Sequence, residues 1–245
     1  MLASREVPAL ARVEARQFLR HPVFILAFIG SGLIMGVFGA FDRGVPEPVV
    51  DHITWGLDSL AGFTVVAACL IASRARRARA EELFASLPSR PRHSTIALLL
   101  AIGAPVAAAG ALAASIALIV GLTGTPRPQV FAGPVMAESL MVLAQTLVMI
   151  GLFGAFGVAV ARWFPYALAA GAAFLVSMQG FEAPLHPSAL DMSGAVSSHA
   201  WHLAYGVALL VVMSAVAMAR HGLTRLPLVA GVAGVTFAVL AGIAQ

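Results

Sequence analysis

The chain has 245 residues, 60% hydrophobic and only 11% charged, with a mean hydropathy of +0.93. A soluble domain carries about 25% charged residues, so this composition excludes an ordinary soluble fold. The net charge of +4 rests on arginine alone, and a chain without lysine has neither a P-loop lysine nor a lysine Schiff base. If ATP drives this protein, another chain must bind it. The single cysteine, Cys69, excludes an intrachain disulfide and a cysteine-based metal centre.

The first predicted element is a helix over residues 4–20. At 100° per residue Arg5, Arg12, Arg16 and Arg20 share one face, with Val7, Ala11 and Phe18 opposite. This pattern predicts an interfacial helix, arginines toward headgroups and apolar residues in the acyl boundary. Glu14 lies nearer the apolar side and has no partner evident from the sequence. Seven apolar segments follow, at 22–41, 53–73, 95–121, 136–161, 163–180, 201–219 and 226–244. Each is long enough to cross a hydrocarbon core of about 30 Å as a helix, the fifth only barely. The segment at 22–41 is too long for a signal-peptide core and no A-x-A site follows it, so it reads as an uncleaved first span. The predicted fold is therefore all-α: a polytopic membrane helix bundle occupying residues 1–245, with a six-span core plus a seventh helix.

With the N-terminus inside, thirteen of the fifteen arginines fall in inside segments; only Arg43 and Arg127 lie outside. This obeys the positive-inside rule and leaves no need for nucleic acid to explain the charge. Small residues at Gly32 and Gly36, at Gly151, Gly154, Ala155 and Gly157, and at Ala230 and Gly234 are spaced for close helix packing. The inside loop 74–94 contains a second amphipathic helix, 76–88. Ala80, Leu83, Phe84 and Leu87 form one apolar face, Glu81 and Glu82 interrupt the arginine run, and Pro88 ends the helix. Such a stripe can enter a groove on a partner or lie on the bilayer surface.

Ionisable and amide side chains within spans are candidates for a pathway: Asp58 in the second, Glu138 and Gln145 in the fourth. Asp58 and Glu138 lie close enough to the outer surface to reach interfacial water instead. Outside, Glu182, His186, Asp191, His199 and His202 gather around one loop, but nothing in the spacing fixes a metal geometry there, and no metal site is assigned. There is no H-E-x-x-H and no G-x-S-x-G.

Two segments carry a resemblance. One is the basic helix from Ala11 to Pro22 leading into the first span. The other is the basic cluster followed by Glu81, Glu82, Leu83, Leu87 and Pro88, with Arg90 and Arg92. With the His199–His202 entry to the sixth span, they resemble the permease subunit of type-two ABC exporters from high-GC bacteria. The resemblance implies an inner-membrane protein with a cytoplasmic N-terminus, working beside a second permease subunit as a homo- or heterodimer. It also implies a separate ATPase subunit, where ATP and magnesium bind. Residues 4–20 would be the connecting helix. Glu81, Glu82, Leu83, Phe84, Leu87 and Pro88 would contact the ATPase. No catalytic residue and no cofactor are expected in this chain. The seventh segment departs from the usual six, and no large extracytoplasmic region is present. The competing classes are an ion-coupled transporter, a membrane scaffold, and an intramembrane enzyme built on Glu182, His186 and His202.

Overall fold

The computed structural model describes residues 3–41, 49–77, 91–122, 134–164, 168–180, 196–221 and 225–243. These form helices α1 (Ala3–Leu19), α2 (Pro22–Phe41), α3 (Val49–Arg77), α4 (Pro91–Ala101), α5 (Gly103–Leu122), α6 (Pro134–Trp163), α7 (Leu168–Gly180), α8 (Val196–Ala219) and α9 (Arg225–Ile243). No strand occurs among the described residues. Three helices, α2, α4 and α6, begin on proline, which has a suitable φ and no N–H to leave unpaired in the first turn.

All seven predicted apolar segments lie on helices, but they are not equivalent. Ile53–Arg74, Arg92–Ile119, Ser139–Trp163 and Ala200–Ala219 are each long and apolar enough to cross a bilayer. The pair Glu6–Leu19 and Pro22–Val37 passes the same test only jointly, with a 58° bend between the two helices. The fifth predicted segment, 163–180, is divided, since α6 runs through Trp163 and α7 starts at Leu168. The 13 described residues of α7 cover about 20 Å. In the third predicted segment the helix is interrupted at Ile102, one turn before Pro105. Pro105 has no N–H for the Ala101 carbonyl and its ring crowds that group, so the irregularity falls one turn earlier.

The core is organised on α3, which packs against α2, α6 and α7, while α6 also carries α8, and α9 packs on α8. The α3–α6 seam is the closest. A Cβ built on Gly157 would lie 2.5 Å from the Val65 carbonyl oxygen and 2.9 Å from Ala68 Cβ. Glycine is thus required there for the backbones to approach. Gly154 meets Ile102, and Gly151 faces Val106 and Leu210. The predicted glycines of α2 behave differently: Gly32 has only Leu112 nearby, at 3.7 Å, and Gly36 has nothing within 4 Å.

Several contacts fix direction. Gly157 faces Val65–Cys69, while Arg74 and Arg162 both act on Glu14, so α3 and α6 run parallel. Gly151 lies against Leu210, and Trp163 Nε1 donates to the Val216 carbonyl at 3.0 Å, so α8 runs parallel to α6 as well. Three of the long apolar helices thus point the same way.

Gly157→Ala is expected to lower the melting temperature in detergent markedly, at a cost of about 1–3 kcal/mol from overpacking. Gly36→Ala is expected to be neutral or slightly stabilising, because that position is open and alanine is the better helix former. The thermal reactivity of buried Cys69 toward a fluorogenic maleimide measures both.

Candidate functional site: polar groups at two levels of the bundle

Most buried hydroxyls are satisfied by their own helix. Thr64, Thr146, Ser177 and Ser214 each donate to a carbonyl three or four residues earlier. This is the inexpensive way to place a hydroxyl in a span. The polar groups that tie one helix to another lie at two levels.

The first level is the end of the bundle where α3, α6 and α8 finish and α4 begins. Glu14 of α1 accepts from Arg74 Nη2 of α3 at 2.5 Å. Arg162 at the end of α6 also acts on Glu14, and its Nη2 lies 3.4 Å from Ser94 Oγ. Thr95 Oγ1 and His221 Nε2 are hydrogen-bonded at 2.7 Å, joining α4 to α8. His93 Nδ1 of α4 lies 3.7 Å from Glu6 Oε2 of α1. Desolvation by burial raises the Glu14 carboxyl above its ordinary value, although Arg74 and then Arg162 pull it down.

The apolar residues of α1 are divided: Phe18 is buried in the core, edge-on to Phe24, and α1 packs chiefly on α4, while Leu10, Val13 and Leu19 are exposed. Glu14 has a partner, Arg74, sixty residues away. An acid on the apolar side of an amphipathic helix was the available signal, since a carboxylate that loses its hydration needs a paired base.

The second level lies near the opposite end. Asp58 of α3 and Gln145 of α6 are 8% and 7% exposed. Each lies roughly 25 Å along its helix from the arginine that marks the first level, as does His202 along α8. Because the three helices are parallel, these groups share one depth. Gln145 and His202 line a small cleft between α6 and α8 with Val148, Met149, Leu203 and Gly206. Asp58 and Gln145 are therefore brought to one level, and His202 joins them, which sequence reasoning had placed with the outer loop.

The other predicted positions are not described. Glu81, Glu82, Leu83, Phe84, Leu87 and Pro88 lie outside the described residues, as do Glu182, His186 and Asp191. Glu138 and His199 are on α6 and α8, with side chains outside the described set. Among the described residues no group of three metal-ligating side chains occurs. The chain matches no protein-family model, no curated protein and no solved structure.

The interhelical bonds at the first level carry measurable stability. Thr95→Val and Trp163→Phe should each cost about 0.5–1.5 kcal/mol in reversible unfolding in mixed micelles. Ser115→Ala should be neutral, since its hydroxyl is exposed and bonds only within α5.

Proposed function

We propose that this chain is a permease subunit of an ATP-driven exporter in a bacterial inner membrane, with its N-terminus in the cytoplasm. The observation that supports this reading most is the Glu14–Arg74 ion pair. It joins α1 to the last turns of α3, just ahead of residues 78–90 in the chain. The two segments that carry the family resemblance thus start from one tied end. A force applied by an ATPase to residues 76–88 would reach α3 and α1 together. At the other end, Asp58, Gln145 and His202 supply polar groups at one depth, suited to a pathway through otherwise apolar spans.

In this reading Glu81, Glu82, Leu83, Phe84, Leu87 and Pro88 contact a separate nucleotide-binding subunit, which holds ATP and magnesium. A second permease subunit, identical or different, completes the pathway. The chain itself performs no hydrolysis.

Tagged protein, gently solubilised from a related host, should co-purify with a P-loop ATPase. The Glu82→Arg/Leu83→Asp variant should lose that ATPase while remaining folded and monodisperse. Recovery of folded wild-type protein without an ATPase would sink the exporter reading.

A further inference from the structure

The way α1 is held on the bundle is unusual for a structural contact. One side of the helix packs inward, with Phe18 buried and Val7, Ala11 and Ala15 partly so, while Leu10, Val13 and Leu19 stay exposed. In the middle of this face sits Glu14, with a side chain only 12% exposed. One carboxylate oxygen is bonded to Arg74; the other, Oε2, is buried and makes no hydrogen bond among the described residues. Arg74 is 41% exposed, so the base keeps much of its hydration while the acid has lost most of its own. An ion pair of this form repays its acid poorly. At the end of α1 the chain turns through 58° into α2 around Arg20 and His21. Backbone hydrogen bonds from His21 N to the Phe18 carbonyl and from Ile25 N to the His21 carbonyl span the turn.

We propose that α1 is a detachable element of the bundle, and that ionised Glu14 is what keeps its docking weak enough to release. The ion pair sets where α1 meets α3; the apolar residues that reach the bundle, Phe18 first, supply the attraction. Glu14 sets the helix in place against Arg74 and Arg162 and lowers the strength with which it stays there. Removing the acid should therefore tighten docking. Removing the base should loosen it, because a buried carboxylate is then left uncompensated.

The pH dependence has a definite sign. Burial raises the Glu14 carboxyl, so the docked state binds the proton more tightly than the released state. Docking is strongest below the ordinary glutamate value of 4.5 and weakens as pH rises through the raised one. The other charged or titratable groups facing α1 are Arg74 on α3, Arg162 on α6, Arg92 and His93 on α4, and His21 at the turn. The described part of α5 has none. The pH series is run in a Glu6→Gln background, which removes the carboxylate 3.7 Å from His93.

The test is maleimide labelling of an Ala11→Cys variant in phosphatidylcholine–phosphatidylglycerol nanodiscs. Position 11 faces the bundle when α1 is docked. Native Cys69, buried and in no disulfide, stays unlabelled while the fold is intact and is read separately by peptide mass. At neutral pH, adding Glu14→Gln should slow labelling and adding Arg74→Gln should speed it. Each change should be about three- to tenfold, below the full effect of a buried pair because Arg74 is partly exposed. The double variant should label as slowly as Glu14→Gln alone, and, with each rate divided by that of a small free thiol at the same pH, acid should slow the parent but not Glu14→Gln. If Cys69 becomes labelled in Glu14→Gln, Glu14→Met repeats the test with a purely apolar replacement. Faster or unchanged labelling on removing the acid, or an Ala11→Cys site that never reacts in any variant, overturns the proposal. Because the assay contains no ATPase, its outcome is separate from that of the exporter reading.

Discussion

The close approach of α6 to α3 is the contact on which the rest of the bundle depends. Gly157 rests against the Val65 carbonyl with no room for a side chain. Lipid tails are as apolar as leucine, so the hydrophobic effect gives helices little reason to associate inside a bilayer. Backbone-to-backbone packing supplies the attraction instead. That seam fixes α3 and α6 as a parallel pair, α8 follows α6 through Gly151 and Trp163, and α9 is carried on α8 through Gly231 and Gly234. The outer surfaces of α2 and α9, with Leu26, Ile29, Leu33, Val229, Val232 and Phe237 exposed, are the surfaces expected to meet acyl chains.

Parallel spans have a chemical consequence. Residues at corresponding positions along α3, α6 and α8 come to the same depth, although they are far apart in the chain. The arginines and histidine near the three C-terminal ends meet there. Near the other end, Asp58, Gln145 and His202 share a level. The first group binds helices together through bonds that can be named atom by atom. The second is set among apolar residues, where a polar side chain is costly unless it is used. Division of labour along the bundle axis is therefore built into the topology.

Much of this was legible in the sequence, and the limits are physical. Apolar runs and arginine positions placed the helices, because hydropathy and charge act locally. The face assignment of α1 was legible for the same reason: Val7, Ala11 and Phe18 do point one way. What covers that face was not legible. A bilayer and a bundle of apolar helices select the same pattern, and here the bundle takes it. The partner of Glu14 was hidden because Arg74 is one of several arginines that could have reached it. The glycines of α2 and α6 looked alike in spacing, but only Gly154 and Gly157 of α6 meet a neighbouring backbone or branched side chain at short range. Spacing reports that an approach is possible; the third dimension decides which one occurs.

The length of α6 bears on the bilayer itself. Its apolar stretch Ser139–Trp163, 25 residues, covers about 37 Å, more than a typical hydrocarbon thickness. An excess of this size is taken up by tilting the helix or by thickening the bilayer around it, at a cost of fractions of a kcal/mol per ångström of mismatch. Because α3 and α8 are seated on α6 through Gly157, Gly151 and Trp163, a tilt of α6 carries them with it. Membrane thickness then becomes a variable to which this bundle is mechanically coupled.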